Sequence, residues 1–326
     1  MSDLKVYLDQ FAKLRRAPGP VWTTATKELA PHKPFLLLAV LDLVARGVLN
    51  SSFIDIHGDL NELNDLFTAY WRRVVPLSQK SSIAFPFSRL HNEPFWKLIP
   101  VPGKEITPAV INNISTVNQL REVSQGAKLD EDLFNLMTGP ELRSSLRTVL
   151  LRANFSAEAQ SNLNEQIAVN MRAFEYSREL EQLSHKPLDK QTIRESDVTG
   201  DVRDQGFRRA VIKAYGHRCA LCGVRIITPE GHTVVDAAHI QPWSIGHNDD
   251  IRNGLALCKM CHWSFDKGML GISDEFTVIT SRQISMNPNL PGSILTLADR
   301  KIIPPKDEAL WPAKEYITWH RANVLI

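Results

Sequence analysis

DAAHIQPWSIGHNDDIRNGLALCKMCHWSFDKG, residues 236–268, holds two of the four cysteines and three of the ten histidines in the sequence. Its cysteines, Cys258 and Cys261, form the pair CKMC, and a matching pair, Cys219 and Cys222 in CALC, lies upstream. Each CxxC turn directs two thiolates at one point, so two turns supply the four sulfurs of a tetrahedral zinc ion. The spacing therefore predicts a structural Zn²⁺ site that uses every cysteine of the chain.

Two other interpretations of the cysteines are open. Four reduced core cysteines would leave the two CxxC pairs unexplained, and a redox dithiol would require two such pairs in one small unit. A closed four-cysteine site has no open coordination position, so the zinc itself would do no chemistry. The neighbouring polar residues His239, Asn253, His262 and Asp266 are then left for another purpose.

Length and composition set the limits of the fold. The 326 residues are enough for two or three domains with real cores, and the formal net charge of +2 neither requires nor excludes a nucleic-acid partner. The longest apolar run, residues 34–45, is interrupted by Asp42 and is too short to span a membrane. The first residues lack the layout of a signal peptide. We therefore expect a cytoplasmic protein with no membrane partner, whose reduced cysteines bind metal.

Periodicity along the chain predicts an α+β protein. A buried helix is expected to begin near Pro34 and to end at Arg46 and Gly47, and an amphipathic helix is expected over residues 59–74. Residues 83–101 suggest short strands and loops, and residues 105–183 suggest helices. The polar stretch around residues 184–206 marks a boundary. We predict a domain at 1–185, a linker at 186–204 and a domain at 205–326 with a short terminal helix.

The C-terminal motifs resemble the HNH nucleases, which have the ββα-metal fold. The resemblance rests on AYGHRCALCG, VDAAHIQPW and NGLALCKMCHWSFDKG in that order, and it covers roughly residues 205–282. It implies an endodeoxyribonuclease in which a β-hairpin carries a catalytic histidine and the following helix carries metal ligands. The zinc knuckle would clamp the hairpin to that helix.

The resemblance also implies a role for each remaining polar residue. His239 would be the general base, for which a histidine of ordinary pKa is suited. Asn253 would hold the loop and orient His239. His262 would bind a catalytic divalent metal, either Mg²⁺, Mn²⁺ or Ni²⁺, together with Asp266 one helical turn further on and Asp236 as a further ligand. The ordinary alternatives are a core histidine, a turn asparagine, a surface histidine and a helix-end carboxylate.

The N-terminal region resembles the sulfur-binding domains of type IV restriction enzymes, which recognise phosphorothioated DNA. The motifs are HKPFLLLAVLDL, FPFSRLHNEPFWKL and FNLMTGPELRSSLRTVLLRANF, over about residues 25–160. A sulfur atom is poorly hydrated and polarizable, so an apolar dimple beside a cation suits it. The resemblance places the DNA contacts at an apolar patch, Phe85, Pro86 and Phe87, and at three basic residues, His32, Lys33 and Arg89.

Two residues depart from that family pattern. His32 stands where the family often has arginine, and Arg89 stands where it often has a small residue. A modified base, a particular sequence or the bare DNA backbone therefore stays open as the feature recognised. The plain structural interpretation is that the aromatic residues belong to the core and that HKP only begins a helix.

Together these observations predict a modification-dependent restriction endonuclease that acts on double-stranded DNA. Because HNH domains usually cut one strand, a double-strand break would favour a homodimer. Three alternatives stay open. The first is an HNH nuclease that recognises methylated or hydroxymethylated cytosine or a plain sequence. The second is a zinc-stabilised DNA-binding protein without catalysis, and the third is a nuclease toxin with an immunity partner.

Overall fold

The computed structural model describes residues 2–188, 198–283 and 294–326, with side chains from Leu4 onward. The contacts divide the chain into two units, Met1–Met171 with Pro229–His232, and Arg172–Thr228 with Thr233–Ile326. This division falls before residue 185, the predicted end of the first domain. Residues 189–197 of the predicted linker lie outside the described residues.

The first unit combines helices with one antiparallel sheet of strand order β1-β3-β2. Its helices are α1 Ser2–Ala12, α2 His32–Ala45, α3 Leu60–Val74, α4 Ala84–Arg89, α5 Pro108–Asn113, α6 Val117–Val123, α7 Glu131–Thr138, α8 Pro140–Asn154 and the part of α9, Ala157–Ser184, up to Met171. Its strands are β1 Phe53–Asp55, β2 Trp96–Pro100 and β3 Ser124–Leu129.

Helix α2 lies at the centre of this unit, as its apolar sequence predicts. Every residue from Lys33 to Val44 is buried, and the helix is followed by Gly47 in the left-handed conformation with φ 69°. The amphipathic helix predicted over residues 59–74 is α3. Both predictions are confirmed because long helical periodicity and helix-end residues are strong local signals.

Two sequence predictions in this unit were wrong in part. Residues 84–89, expected as strand or loop, form helix α4, since Pro86 lies in the first turn, where its missing N–H costs nothing. Residues 124–129, expected as helix, form the central strand β3. A Cβ at Gly126 would lie 2.2 Å from the Ile54 carbonyl oxygen, so glycine permits the close approach of β1.

The second unit has the ββα arrangement expected of an HNH fold. Its elements after α9 are α10 Gly200–Ala214, β4 Val235–His239, α11 Trp243–Gly246, β5 Gly254–Cys258, α12 Lys259–Asp266, β6 Leu270–Ile272, β7 Val278–Thr280 and α13 Lys314–Asn323. Strands β4 and β5 are antiparallel with His239 opposite Gly254, and α12 follows β5 directly. The predicted α+β class with a ββα unit is confirmed.

The ends of the second unit refine the predicted boundaries. Helix α10 begins at Gly200, inside the predicted linker 186–204, and Gly216 follows it with φ 56°, as a helix end requires. The predicted terminal helix is α13. Within the described residues, no helix combines the length and the apolar character that crossing a membrane requires.

Candidate active site and metal centres

The four cysteines converge as the two CxxC pairs predict. Their sulfurs all lie within 4.8 Å of one another, and the Cys222 and Cys258 sulfurs are 3.7 Å apart. A tetrahedral zinc with Zn–S bonds of about 2.3 Å separates its sulfurs by about 3.8 Å, so the cluster fits this ion. Hydrogen bonds from Cys222 and then Cys261 lower the pKa of Cys219, and the same contacts raise the pKa of Cys222 and Cys261, so Cys219 ionises before those two thiols.

The local backbone explains how the sulfurs meet. Gly223, with φ 80°, donates its N–H to the Cys219 carbonyl at 3.0 Å and closes the first CxxC turn. Cys258 ends strand β5 and precedes helix α12, whose first turn carries Cys261. A metal held here would tie the first turn to the junction between β5 and α12. The zinc knuckle was expected to hold the β-hairpin to the following helix at this junction.

His239 is the last residue of strand β4, and its ring is held on two sides. Its Nε2 lies 2.8 Å from Oδ1 of Asp249. Its plane stacks on the Phe207 ring, with centroids 4.0 Å apart and an interplanar angle of 6°. The His239 side chain is 21% exposed, whereas the Asp249 side chain is fully buried. One edge of a fixed imidazole therefore stays available to solvent or substrate.

Asp249 was not predicted from the sequence. Its second oxygen, Oδ2, accepts a hydrogen bond from the Tyr176 hydroxyl at 3.0 Å and lies 3.7 Å from Nε of Arg203. The Arg203 guanidinium in turn lies 3.9 Å from the centroid of the Trp243 ring. The feature of the sequence that could have revealed Asp249 is the pair of adjacent aspartates, Asp249 and Asp250, just before Asn253. Two successive acids in a short loop must find partners if the loop is buried.

Asn253 fixes the loop that follows His239. It is fully buried, and its Oδ1 accepts the Gln241 N–H at 2.9 Å. Its Nδ2 donates to the Gln241 and Asn248 carbonyl oxygens, each at 3.0 Å. The Asn253 amide therefore joins both ends of the loop between Gln241 and Asn248. This is the loop that Asn253 was expected to hold.

Helix α12 brings together two of the three predicted metal ligands. His262 Nε2 lies 3.5 Å from Asp266 Oδ2, a separation at which one cation can be shared by an imidazole and a carboxylate. Asp236 is not brought to them. It pairs with Arg208 at 2.7 Å, and strand alternation places it on the face of β4 opposite His239. Among the described residues, the four cysteines form the only cluster of three or more His, Cys, Asp or Glu side chains that could hold a metal ion.

The same helix exposes two large apolar side chains. Trp263 is 56% exposed and Met260 is 46% exposed. They lie three residues apart, and therefore on one side of the helix. Lys259 and Lys267 are also exposed at the two ends of the helix. This side of α12, Lys259 with Met260, Trp263 and Lys267, is called the α12 face below.

In the first unit, the predicted apolar patch is divided between surface and core. Phe85 is 37% exposed, whereas Pro86 is buried and Phe87 is completely buried. Phe87 packs edge to face on Trp96, whose Nε1 donates to the Phe87 carbonyl at 3.0 Å. Of the three aromatic and proline residues, Phe85 is therefore the one that presents its ring to solvent.

His32 is enclosed by aromatic rings. Its ring centroid lies 5.3 Å from Trp22, 4.8 Å from Trp71 and 4.9 Å from Phe85. Burial lowers the pKa of His32 to about 4, so its imidazole is neutral at neutral pH.

Lys33 and Arg89 have structural partners. Lys33 is buried and forms an ion pair with Glu93. Arg89 donates to the Asn112 and Ile114 carbonyl oxygens at 2.9 and 3.0 Å, at the end of helix α5. Its guanidinium also lies 4.6 Å from the centroid of the Phe85 ring. Of the three predicted cations, Arg89 is the one placed beside the exposed aromatic surface.

Comparison with known proteins finds one family model that matches part of the chain. Residues 219–273 match the family model described as HNH endonuclease. No curated protein matches the chain. Among solved structures, the modification-dependent TagI restriction endonuclease is 26% identical over 43% of this chain and 44% of its own, with a TM-score of 0.29. The type IV phosphorothioation-dependent restriction endonuclease ScoMcrA is 13% identical over 79% and 93%, with a TM-score of 0.29.

Proposed function

We propose that this chain, which carries an HNH endonuclease domain at residues 219–273, is a modification-dependent restriction endonuclease that cuts double-stranded DNA. The observation that carries the proposal is the fixed imidazole of His239 at the end of β4, held by Phe207 and by the buried Asp249. A histidine locked in one orientation and 21% exposed suits a general base better than a core position.

The proposed chemistry assigns one task to each residue. His239 takes the proton of the attacking water, and Asn253 keeps the loop after β4 in place. His262 and Asp266 would hold the divalent metal, with Mg²⁺, Mn²⁺ and Ni²⁺ as candidates. When bound, that metal stabilises the charge that develops on the scissile phosphate and its leaving oxygen. The four-cysteine zinc would hold the hairpin to α12 and take no part in the reaction.

The first unit supplies the recognition of modified DNA in this proposal. The recognition domain proposed at 1–185 includes residues 172–185, which the contacts assign to the second unit, and the nuclease domain is proposed at 205–326. Phosphorothioate is the modification that the surface supports best. The exposed Phe85 ring borders a neutral His32, and Arg89 lies against the same ring. A poorly hydrated sulfur suits an apolar contact, and an adjacent guanidinium suits the charge of the phosphorothioate. In this arrangement the surface around Phe85 rests on three buried residues, Pro86, Phe87 and Lys33.

The proposal is tested by cleavage and binding with three duplexes of one sequence: one with a single phosphorothioate, one unmodified and one with methylated cytosine. The full-length protein with a divalent metal should cut the phosphorothioate duplex and leave the others intact. His239→Ala should bind that duplex about 100-fold more tightly than the others, a difference of about 2.7 kcal/mol. Preference for methylated cytosine would replace the sulfur assignment with a cytosine modification, and equal binding would remove modification dependence.

A matched pair of variants tests the surface itself. Phe85→Ala should reduce the preference for the phosphorothioate at least tenfold, because the exposed ring is lost. Leu77→Ala removes another exposed apolar side chain of the same unit, 83% exposed, and should leave the preference unchanged. Equal effects of the two substitutions would show that Phe85 is not part of the recognition surface.

A double-strand break requires that both DNA strands be cut. One HNH site of this kind cuts one strand, so we propose that two chains act together on one DNA target. Light scattering of the protein with and without the preferred duplex tests this. A two-chain complex on DNA is expected, and a single chain that still makes double-strand breaks would contradict it.

A further inference from the structure

We infer that Asp249 is the positioning residue for the His239 imidazole, and that two helices preceding the HNH match hold Asp249 in place. The inference rests on the proposed function, in which His239 is the general base. It adds a carboxylate that decides which ring nitrogen carries the proton. It also adds Tyr176 and Arg203, which lie outside residues 219–273, to the catalytic apparatus.

The contact between His239 and Asp249 fixes the tautomer. An ionised carboxylate only accepts hydrogen bonds, so the 2.8 Å contact requires the hydrogen to be on Nε2. In the neutral ring Nδ1 is then the unprotonated nitrogen, and it is the one that can accept a proton from water. Because Phe207 also holds the plane of the ring, the direction of Nδ1 is fixed as well. Asp249 therefore prepares the base before substrate arrives.

The surroundings of Asp249 explain how a fully buried carboxylate is tolerated. Tyr176, itself 3% exposed, donates its hydroxyl to Oδ2 from helix α9, and Arg203 approaches the same oxygen from helix α10. Phe207, which stacks on the His239 ring, also belongs to α10. A buried charge is costly unless it is paired and hydrogen-bonded. The Tyr176 hydroxyl provides the hydrogen bond, and the Arg203 guanidinium, whose Nε and Nη2 donate to Asp204, provides a nearby positive charge. The support of the catalytic histidine thus extends upstream of the matched domain.

These two neighbours also predict what an asparagine at position 249 would do. Tyr176 offers a hydrogen and Arg203 places a positive charge on this side, so the side-chain oxygen of the asparagine would face them. Its NH₂ group would then face Nε2 of His239, which could only accept that bond. The proton of the neutral ring would move to Nδ1, and Nδ1 could no longer act as the base. Asp249→Asn should therefore disable His239 although it hardly changes the shape of the site.

The test is the tautomer of His239, measured by nitrogen-15 NMR of the imidazole in the full-length protein, with the signal assigned by its loss in His239→Gln. The wild type should show hydrogen on Nε2, and Asp249→Asn should show hydrogen on Nδ1. Cleavage by Asp249→Asn should fall at least about 100-fold in kcat, the usual contribution of a general base, with KM little changed. Wild-type protein with hydrogen on Nδ1 would overturn the inference even if no variant folds.

The neighbouring Asp250 provides the matched control. It is 2% exposed and bonds Arg252 rather than His239, with Arg252 Nη2 2.6 Å from its Oδ2. Asp250→Asn should lower stability but keep hydrogen on Nε2 of His239. An unchanged tautomer in Asp249→Asn, or the same switch in Asp250→Asn, would refute the positioning role. A switch in Asp249→Asn with unimpaired cleavage would confirm that role and reject His239 as the base, so the two failures are distinguishable.

Discussion

The side-chain amide of Asn253 bonds both backbone groups of Gln241, two residues beyond His239. Its Oδ1 accepts the Gln241 N–H at 2.9 Å and its Nδ2 donates to the Gln241 carbonyl at 3.0 Å. This pair of bonds imitates the pairing of a strand at the point where β4 ends. It keeps the backbone after His239 from moving away from β5.

Replacing Asn253 with aspartate should break this arrangement. The new carboxylate would face the Gln241 and Asn248 carbonyl oxygens and leave them without their donor. We expect a loss of about 3 kcal/mol in the free energy of unfolding, together with loss of cleavage. Urea unfolding and a cleavage assay measure the two effects. Asn323→Asp removes one exposed hydrogen bond, to the Trp319 carbonyl at 2.8 Å, and should cost much less stability and keep cleavage. Equal losses in the two variants would contradict the prediction.

Removing the metal of the cysteine cluster should destabilise the second unit. Its four sulfurs already have the spacing of a zinc site, so the folded protein should contain one zinc per chain. Structural zinc contributes roughly 10 kcal/mol or more of apparent binding free energy to folding. Cys222→Ser should therefore lower the melting temperature by more than about 10 °C, and elemental analysis should show little zinc. Cys222→His, which keeps a ligand, should recover part of both. A chelated wild type with unchanged melting would contradict the zinc assignment.

The α12 face should contribute to DNA binding. Trp263 is 56% exposed on the helix that carries His262, and an aromatic ring there can stack on a base or enter a groove. Trp263→Ala should weaken DNA binding by about 1–2 kcal/mol without lowering stability. Fluorescence anisotropy with a labelled duplex measures this. Ile226→Ala, also an exposed apolar residue of the second unit at 55%, is the control, and an equal effect would show that general hydrophobicity is responsible.

The Lys33–Glu93 pair should act on stability rather than on DNA. Both side chains are buried, at 8% and 6% exposure, and Glu93 also accepts the Arg15 backbone N–H at 3.1 Å. Lys33→Met leaves the Glu93 charge buried without its cation and should cost about 3–5 kcal/mol. Lys33→Met with Glu93→Leu should recover most of that loss. Chemical denaturation measures both, and a stable Lys33→Met variant with weakened DNA binding would instead restore Lys33 as a phosphate contact.

The sequence predicted those parts of the site that depend on short spacing. Cys219 and Cys222, like Cys258 and Cys261, are separated by one turn, and His262 and Asp266 by one helical turn, so their convergence follows from local geometry. The hairpin and the helix after it also follow from a continuous motif. These features can be predicted because few conformations satisfy each spacing.

The residues that the sequence did not reveal interact over long separations. Tyr176 and Asp249 are 73 positions apart, and Lys33 and Glu93 are 60 positions apart. No periodicity connects such pairs, because their proximity is decided only when helices and strands pack. The same reason explains Asp236, whose nearness to His239 in sequence suggested a shared metal, although strand alternation and Arg208 direct it elsewhere. Strand β3 was missed because its pairing partners lie in distant segments.

In the proposed function, His239 is the general base of a metal-dependent DNA nuclease. The most direct test compares the wild type and His239→Ala for cleavage of phosphorothioated duplex DNA in the presence of Mg²⁺, Mn²⁺ or Ni²⁺, together with DNA affinity. We expect metal-dependent cutting by the wild type, a loss of at least about 100-fold in cutting by His239→Ala, and equal DNA affinity for both proteins. Undiminished cutting by His239→Ala, or DNA binding by the wild type without cutting in any metal, would contradict it.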